Sequence, residues 1–184
     1  MILQRKPFMI VVLMCTVFLV LHTAFGEEQV LQKTKKAAVV DGVVQPNEYS
    51  FTYEADEINL YLNWIQGKLY AAIIADTNGW VGIGFNSQKM NDADILIGYV
   101  KGGETSFQEQ IGKGHKHRDK DLPYLKSFSL KESGGKTTLE VELIDNLVIK
   151  TGQKTLPIII AFGDADSFSS YHRVKKSLAI ALKK

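Results

Sequence analysis

The side chains able to do chemistry fall into a few short groups. His115 and His117 alternate ahead of Asp119 and Asp121, a spacing that offers imidazole and carboxylate to a divalent metal. The surrounding segment, Gly112–Leu122, is densely charged, and a solvated loop accounts for it without a metal. Asp92 with Asp94, and Asp164 with Asp166, are carboxylate pairs two residues apart. Such pairs suit acid–base work or calcium, but turns and strand edges use aspartate in the same way, and that reading is adopted. Tyr49, Trp64 and Trp80, with Asn47 and Glu48 nearby, offer ring faces and polar groups for stacking a sugar. Trp64 alternates with Leu60 and Leu62 and therefore reads as core. Met90 is a lone thioether in a polar loop and His172 a lone imidazole beside Tyr171. Taken singly they read as a flexible gap-filler and a surface residue. No Ser–His–Asp order, phosphate loop or nucleophile elbow occurs, so no independent catalysis is expected.

The elements that carry these residues repeat with period two. In Glu57–Ile65, Ile58, Leu60, Leu62 and Trp64 alternate with Asn59, Tyr61 and Asn63. Gln66-Gly67 turns the chain into Lys68–Ala75, which is apolar on both faces and predicts a strand buried on both. Trp80–Phe85 reads as a strand with Gly82 and Gly84 on one face, leaving room for something to approach the backbone. Asn86–Asp92 is a polar loop, Ala93–Lys101 a strand, and Glu104–Ile111 its hairpin partner. Lys126–Leu130 and Thr137–Leu143 flank a Gly134-Gly135 turn. Thr155–Phe162 is apolar, and its Pro157 suggests an edge or a strand beginning. Gly163–Tyr171 is a loop before the final strand, Val174–Leu182. No helix is expected. Ten or eleven short strands with regular turns imply an all-β, antiparallel β-sandwich in one domain over residues 38–184.

The N-terminus is of a different kind. Gln4-Arg5-Lys6 precede an apolar run from Phe8 to Leu21, followed by Ala24 and Gly26. This is the layout of a secretory signal peptide over residues 1–26, too short in its apolar part for a membrane span. Residues 27–37 read as a flexible lead-in. Removing 26 of 184 residues leaves 158, with 20 basic against 20 acidic side chains. An exported, periplasmic or extracellular protein is expected, without stable membrane insertion after cleavage. Its neutral charge gives no case for nucleic acid. The single cysteine, Cys15, lies in the leader. The remaining chain holds no disulfide, thiol nucleophile, zinc-thiolate site or covalently attached c-type haem.

Residues 79–100 carry a denser pattern: Gly79-Trp80-Val81-Gly82-Ile83-Gly84-Phe85, then Met90, then Ala93-Asp94-Ile95-Leu96-Ile97-Gly98-Tyr99. This block resembles the DOMON domain family, named after the N-terminal domain of dopamine β-monooxygenase. Weaker resemblance runs from Asp41–Tyr49 to Tyr171-His172. It implies an Ig-like sandwich that binds haem or a sugar. The haem-binding branch includes the cytochrome domain of cellobiose dehydrogenase and plant secreted b-type cytochromes. There a methionine in this loop and a histidine before a late strand ligate the iron. Carried over, the ligands are Met90 and His172, with Trp80, Gly82, Gly84, Phe85 and Tyr171 around the cofactor. Some relatives use lysine in place of the histidine, which leaves Lys175 and Lys176 open as alternatives. Two neutral axial ligands favour electron transfer over oxygen binding. The resemblance thus implies a single-domain b-type cytochrome holding haem b and serving a separate redox partner. The alternative is a sugar- or small-ligand-binding module without haem.

Overall fold

The computed structural model describes residues 29–114 and 116–183. The expected leader with Cys15, and His115, lie outside the described residues. Among the described residues twelve strands form two sheets, one or two more than the turn spacing suggests. They are β1 (Val30–Gln32), β2 (Phe51–Ala55), β3 (Ile58–Ile65), β4 (Lys68–Ala75), β5 (Val81–Phe85), β6 (Asp94–Lys101), β7 (Glu104–Lys113), β8 (Lys116–Asp119), β9 (Leu125–Ser133), β10 (Lys136–Ile144), β11 (Thr155–Phe162) and β12 (Val174–Lys183). One helical turn, α1 (Asp145–Val148), follows β10. The seven-stranded sheet runs β1-β12-β11-β5-β6-β7-β8 and the five-stranded sheet β2-β3-β4-β10-β9. Every strand pair is antiparallel except β1 with β12.

Alternation decides which residues face the middle. Ile58, Leu60, Leu62 and Trp64 of β3 meet Val81, Ile83 and Phe85 of β5, and Ile158, Ile160 and Phe162 of β11, in one core between the sheets. Each such side chain contributes roughly 1.5–3 kcal/mol by leaving water. Trp64 is core, as its spacing requires, and its indole N–H donates to Asp145 Oδ2 at 3.0 Å. Strand β4 is buried on both faces because residues 34–50 lie as a strap across the outside of the five-stranded sheet. The fully buried Glu140 carboxylate holds that strap, accepting from the Asp41, Gly42 and Val43 amides and the Tyr49 hydroxyl.

Two local expectations are revised and a third is narrowed. The lead-in contains β1, whose Leu31 is fully buried and whose residues 30–32 pair with Ala181–Lys183. The charged Gly112–Leu122 segment is not a simple loop, since Lys116–Asp119 form the edge strand β8. Pro157 is the third residue of β11, an interior strand, so of the two expected positions it takes the strand's beginning and not an edge. It is tolerated because β5 pairs only with Ile158–Phe162, so no β5 carbonyl needs an amide at 157.

Candidate functional site

The outer face of the seven-stranded sheet is apolar at its centre. Its register can be read across the strands. One row runs Lys175, Ala161, Gly82, Ile97, Gln108 from β12 to β7. The next runs Ser177, Ile159, Gly84, Ile95, Gln110 and ends at Asp119 on β8. An outward sheet face usually carries polar side chains. Here Trp80, Ala93, Ile95 and Ile97 are buried against Met90, Tyr99, Ile159, Ala161 and Phe168. Two loops frame this face, residues 86–93 at one end and 163–173 at the other.

The first loop carries Met90, which is partly buried against the apolar patch. The loop is tied down along its length. The Ala93 amide donates to the Met90 carbonyl at 3.1 Å, and the Asp92 amide to Gly112 O at 2.9 Å. The Gly114 amide donates to Asn91 Oδ1 at 2.7 Å, and the Ser177 hydroxyl on β12 to Gln88 O at 2.8 Å. Gly112 is required here, since a Cβ would sit 1.6 Å from the Met90 carbonyl oxygen. Asn86 and Asp92 bracket the loop with φ of 67° and 62°.

The second loop is pinned from below. The Trp80 indole N–H donates to Ser170 Oγ at 2.8 Å, and Phe168 packs on Tyr99 with ring centroids 4.8 Å apart. Arg173 closes the loop through Glu57 at 3.0 Å, Asp164 at 3.1 Å and the Asp76 carbonyl at 2.7 Å.

The structure therefore brings Met90, Trp80, Gly82 and Gly84 to one face. A Cβ at Gly84 would lie 2.6 Å from Ile159 Cγ1, so Ile159 fills the space there. Over Gly82 an added Cβ would meet Ile97 Cγ1 at 3.4 Å and Leu96 O at 3.5 Å, so that position too is packed against its neighbours. Phe85 is not part of this face. One residue on from Gly84, it points into the core between the sheets with no exposed surface. Tyr171 and His172 are exposed in the late loop, Tyr171 at 93%. Lys175 lies on the apolar face, beside Ala161, whereas Lys176 has the opposite parity. The face itself has a sequence signal: Ile95 and Ile97 look outward while Leu96 looks inward, leaving the strand apolar on both sides.

The other candidates do not converge. Asp92 accepts from Asn91, and Asp164 from Arg173 and Thr77. His117 Nδ1 meets Gln110 Oε1, and Gln110 Nε2 donates to Asp119 at 3.3 Å. Among the described residues no three His, Cys, Asp or Glu side chains are grouped to hold a metal. Nor is any helix among them long and apolar enough to cross a membrane. Asp94 is buried at the base of the Met90 loop, taking 2.9 Å from Asn86 Nδ2 and 2.7 Å from Lys120 Nζ. Beside it the Tyr124 hydroxyl is buried with no hydrogen-bond partner. Burial first, then the Asp94 and Glu109 carboxylates, push its ionisation upward.

The pattern of strand, loop and strand around Met90 now meets an independent comparison. The DOMON domain family model matches residues 54–143. Residues 54–143 are thus similar to a DOMON domain. The match takes in β5, the Met90 loop and β6, and stops before the late loop with His172. Solved structures agree in fold. The cytochrome domain of cellobiose dehydrogenase from Myriococcum thermophilum superposes with a TM-score of 0.54 at 10% identity, over 72% of this chain and 82% of that one. The cytochrome b domain of pyranose dehydrogenase from Coprinopsis cinerea gives 0.53 at 9% identity, over 67% and 76%. A family 9 carbohydrate-binding module from Caldicellulosiruptor kristjanssonii, in complex with cellotriose, gives 0.52 at 15% identity, over 85% and 94%. At these identities the likeness is one of fold. No curated protein matches the chain in sequence.

Proposed function

We propose that this DOMON-like domain is an exported b-type cytochrome that holds one haem noncovalently and passes electrons to a separate redox partner. The observation that carries the reading is the shared face. The Met90 thioether from one loop and Trp80, Phe168 and the late loop from the other end meet on one apolar, half-buried sheet surface. An apolar plate and a neutral sulfur donor suit a flat, largely apolar macrocycle. Haem supplies a one-electron iron couple when bound, and methionine ligation raises its potential. The chain's own part is to hold the thioether still, exclude water with Ile95, Ile97 and Ile159, and leave the partner to do the chemistry.

Met90 is the first ligand in this reading. The second is His172 or Lys175. His172 matches the resemblance but stands exposed in the late loop; Lys175 shares the face with Gly82. Separate alanine substitutions at Met90, His172 and Lys175 decide between them in the haem-loaded protein. Met90→Ala and one of the other two are expected to abolish the low-spin spectrum. An unchanged low-spin spectrum in Met90→Ala would refute the assignment.

A second reading has its own observation. On the opposite sheet a cavity of about 250 Å3 lies under the strap, lined by Gln45, Asn47, Glu48, Tyr49, Thr52 and Tyr61 among others. Tyr49 and Tyr61 stand at 5.9 Å between ring centroids, tilted by 51°. Ring faces with exposed amides suit a small sugar, and calorimetric titration with mono- and disaccharides tests that directly. Heat that disappears in Tyr61→Ala and persists in Met90→Ala is the expected signature of this reading. No heat with any sugar would end it.

A further inference from the structure

We infer that Asp94 is a positioning residue for Met90, acting through a clamp made with Asn86 and Lys120. The inference rests on the cytochrome reading for its purpose but not for its test. Asp94 opens β6 directly after the Met90 loop, and its parity turns the side chain away from the apolar face, into the end of the sandwich. There it has two partners from different elements. Asn86, the residue that opens the loop, donates to Oδ2 at 2.9 Å. Lys120, beyond β8, donates to Oδ1 at 2.7 Å. Lys120 is itself fixed, since its amide donates to Glu109 O at 2.9 Å and the Leu122 amide to Glu109 Oε2 at 2.7 Å.

The two ends of the loop are thus held to one buried carboxylate, and that carboxylate is anchored to β7. With its side chain 13% exposed, Asp94 has little water to compete for its oxygens. Hydrogen bonds to an ionised acceptor are the stronger kind. The positive φ of Asn86 has the same meaning: the backbone conformation is unfavourable for a side chain and is kept by the bond that side chain makes. A thioether on a flexible side chain ligates poorly unless its backbone is held. The clamp holds it.

Two variants break the clamp and spare the fold. Asn86→Gly removes the amide donor at a backbone position that glycine adopts freely. Lys120→Ala removes the ammonium, which is 43% exposed. Met90 is the only methionine beyond residue 14, so its methyl resonance is assigned by its loss in Met90→Leu. In the full chain without added haem, methyl order at Met90 is expected to fall in both variants. The Asp92 and Ala93 amides should exchange about tenfold faster, with the melting temperature changed little. Unchanged methyl order and exchange in both variants would overturn the inference. In the haem-loaded protein the same variants should weaken the methionine-to-iron charge-transfer band and lower the midpoint potential, an effect that loss of fold stability alone does not produce. A wild-type chain that takes no haem would end the cytochrome reading while the methyl and exchange data still decide the clamp.

Discussion

At the scale of single residues, two buried tyrosines separate partnered from unpartnered polar burial. Tyr49 donates its hydroxyl to Glu140 at 2.6 Å, and Tyr124 donates to nothing. Tyr49→Phe is therefore expected to cost about 1.5–3 kcal/mol in chemical denaturation, and Tyr124→Phe close to zero. Both hydroxyls ionise above their ordinary value, Tyr49 because of burial and then its bond to Glu140. The sign follows from the raised folded-state value. The contribution is complete below the unfolded tyrosine pKa of about 10 and is lost as the medium becomes more alkaline. Stability should fall above that point, and less steeply in either phenylalanine variant. Much of this level was legible in advance. Trp64 as core, Met90 in a loop and the glycine pair on one face all follow from spacing. Phe85 did not, because a motif names consecutive residues and a strand sends them to opposite faces. The resemblance gave its position, and only the sheet gave its direction.

At the scale of elements, what matters is how loops are fixed to strands. Gly112→Ala would place a Cβ 1.6 Å from the Met90 carbonyl oxygen and push the loop off β7. Haem affinity is expected to drop at least about tenfold while the far-ultraviolet spectrum stays that of the sandwich. An unaltered affinity would show that the loop's seat on Gly112 is irrelevant to binding. Strand β8 escaped the sequence because Lys116-His117-Arg118-Asp119 has no apolar alternation. An edge strand wet on both faces needs none, and its charges guard the free edge. Strand β1 escaped because three residues carry no period and its partner lies at the other end of the chain. Leu31 alone betrays it, and Leu31→Ala should cost about 3 kcal/mol on thermal unfolding.

At the scale of the whole molecule, the sandwich has two covered outer faces with different covers. The five-stranded sheet is closed by the strap that Glu140 holds. The seven-stranded sheet is framed by two loops around an apolar strip. The inter-sheet core separates them, so substitutions on one face should leave the other nearly untouched. Tyr49→Phe is thus expected to alter stability and not haem uptake, and Met90→Ala the reverse. The fold class was readable from period and turns because β3 alternates from Ile58 to Leu62 and short apolar strands follow one another at regular turns, even where β4, β5 and β6 are buried on both faces. The site was readable only in part, since the early and late loops are brought to opposite ends of one face through β5, β11 and β12, a long-range pairing that no local pattern encodes.

The central claim is most directly tested by the absorption spectrum of the exported protein, produced with haem available, before and after dithionite. A sharp Soret band with resolved α and β bands on reduction is the predicted result. A colourless protein that also fails to take up added haemin would contradict it.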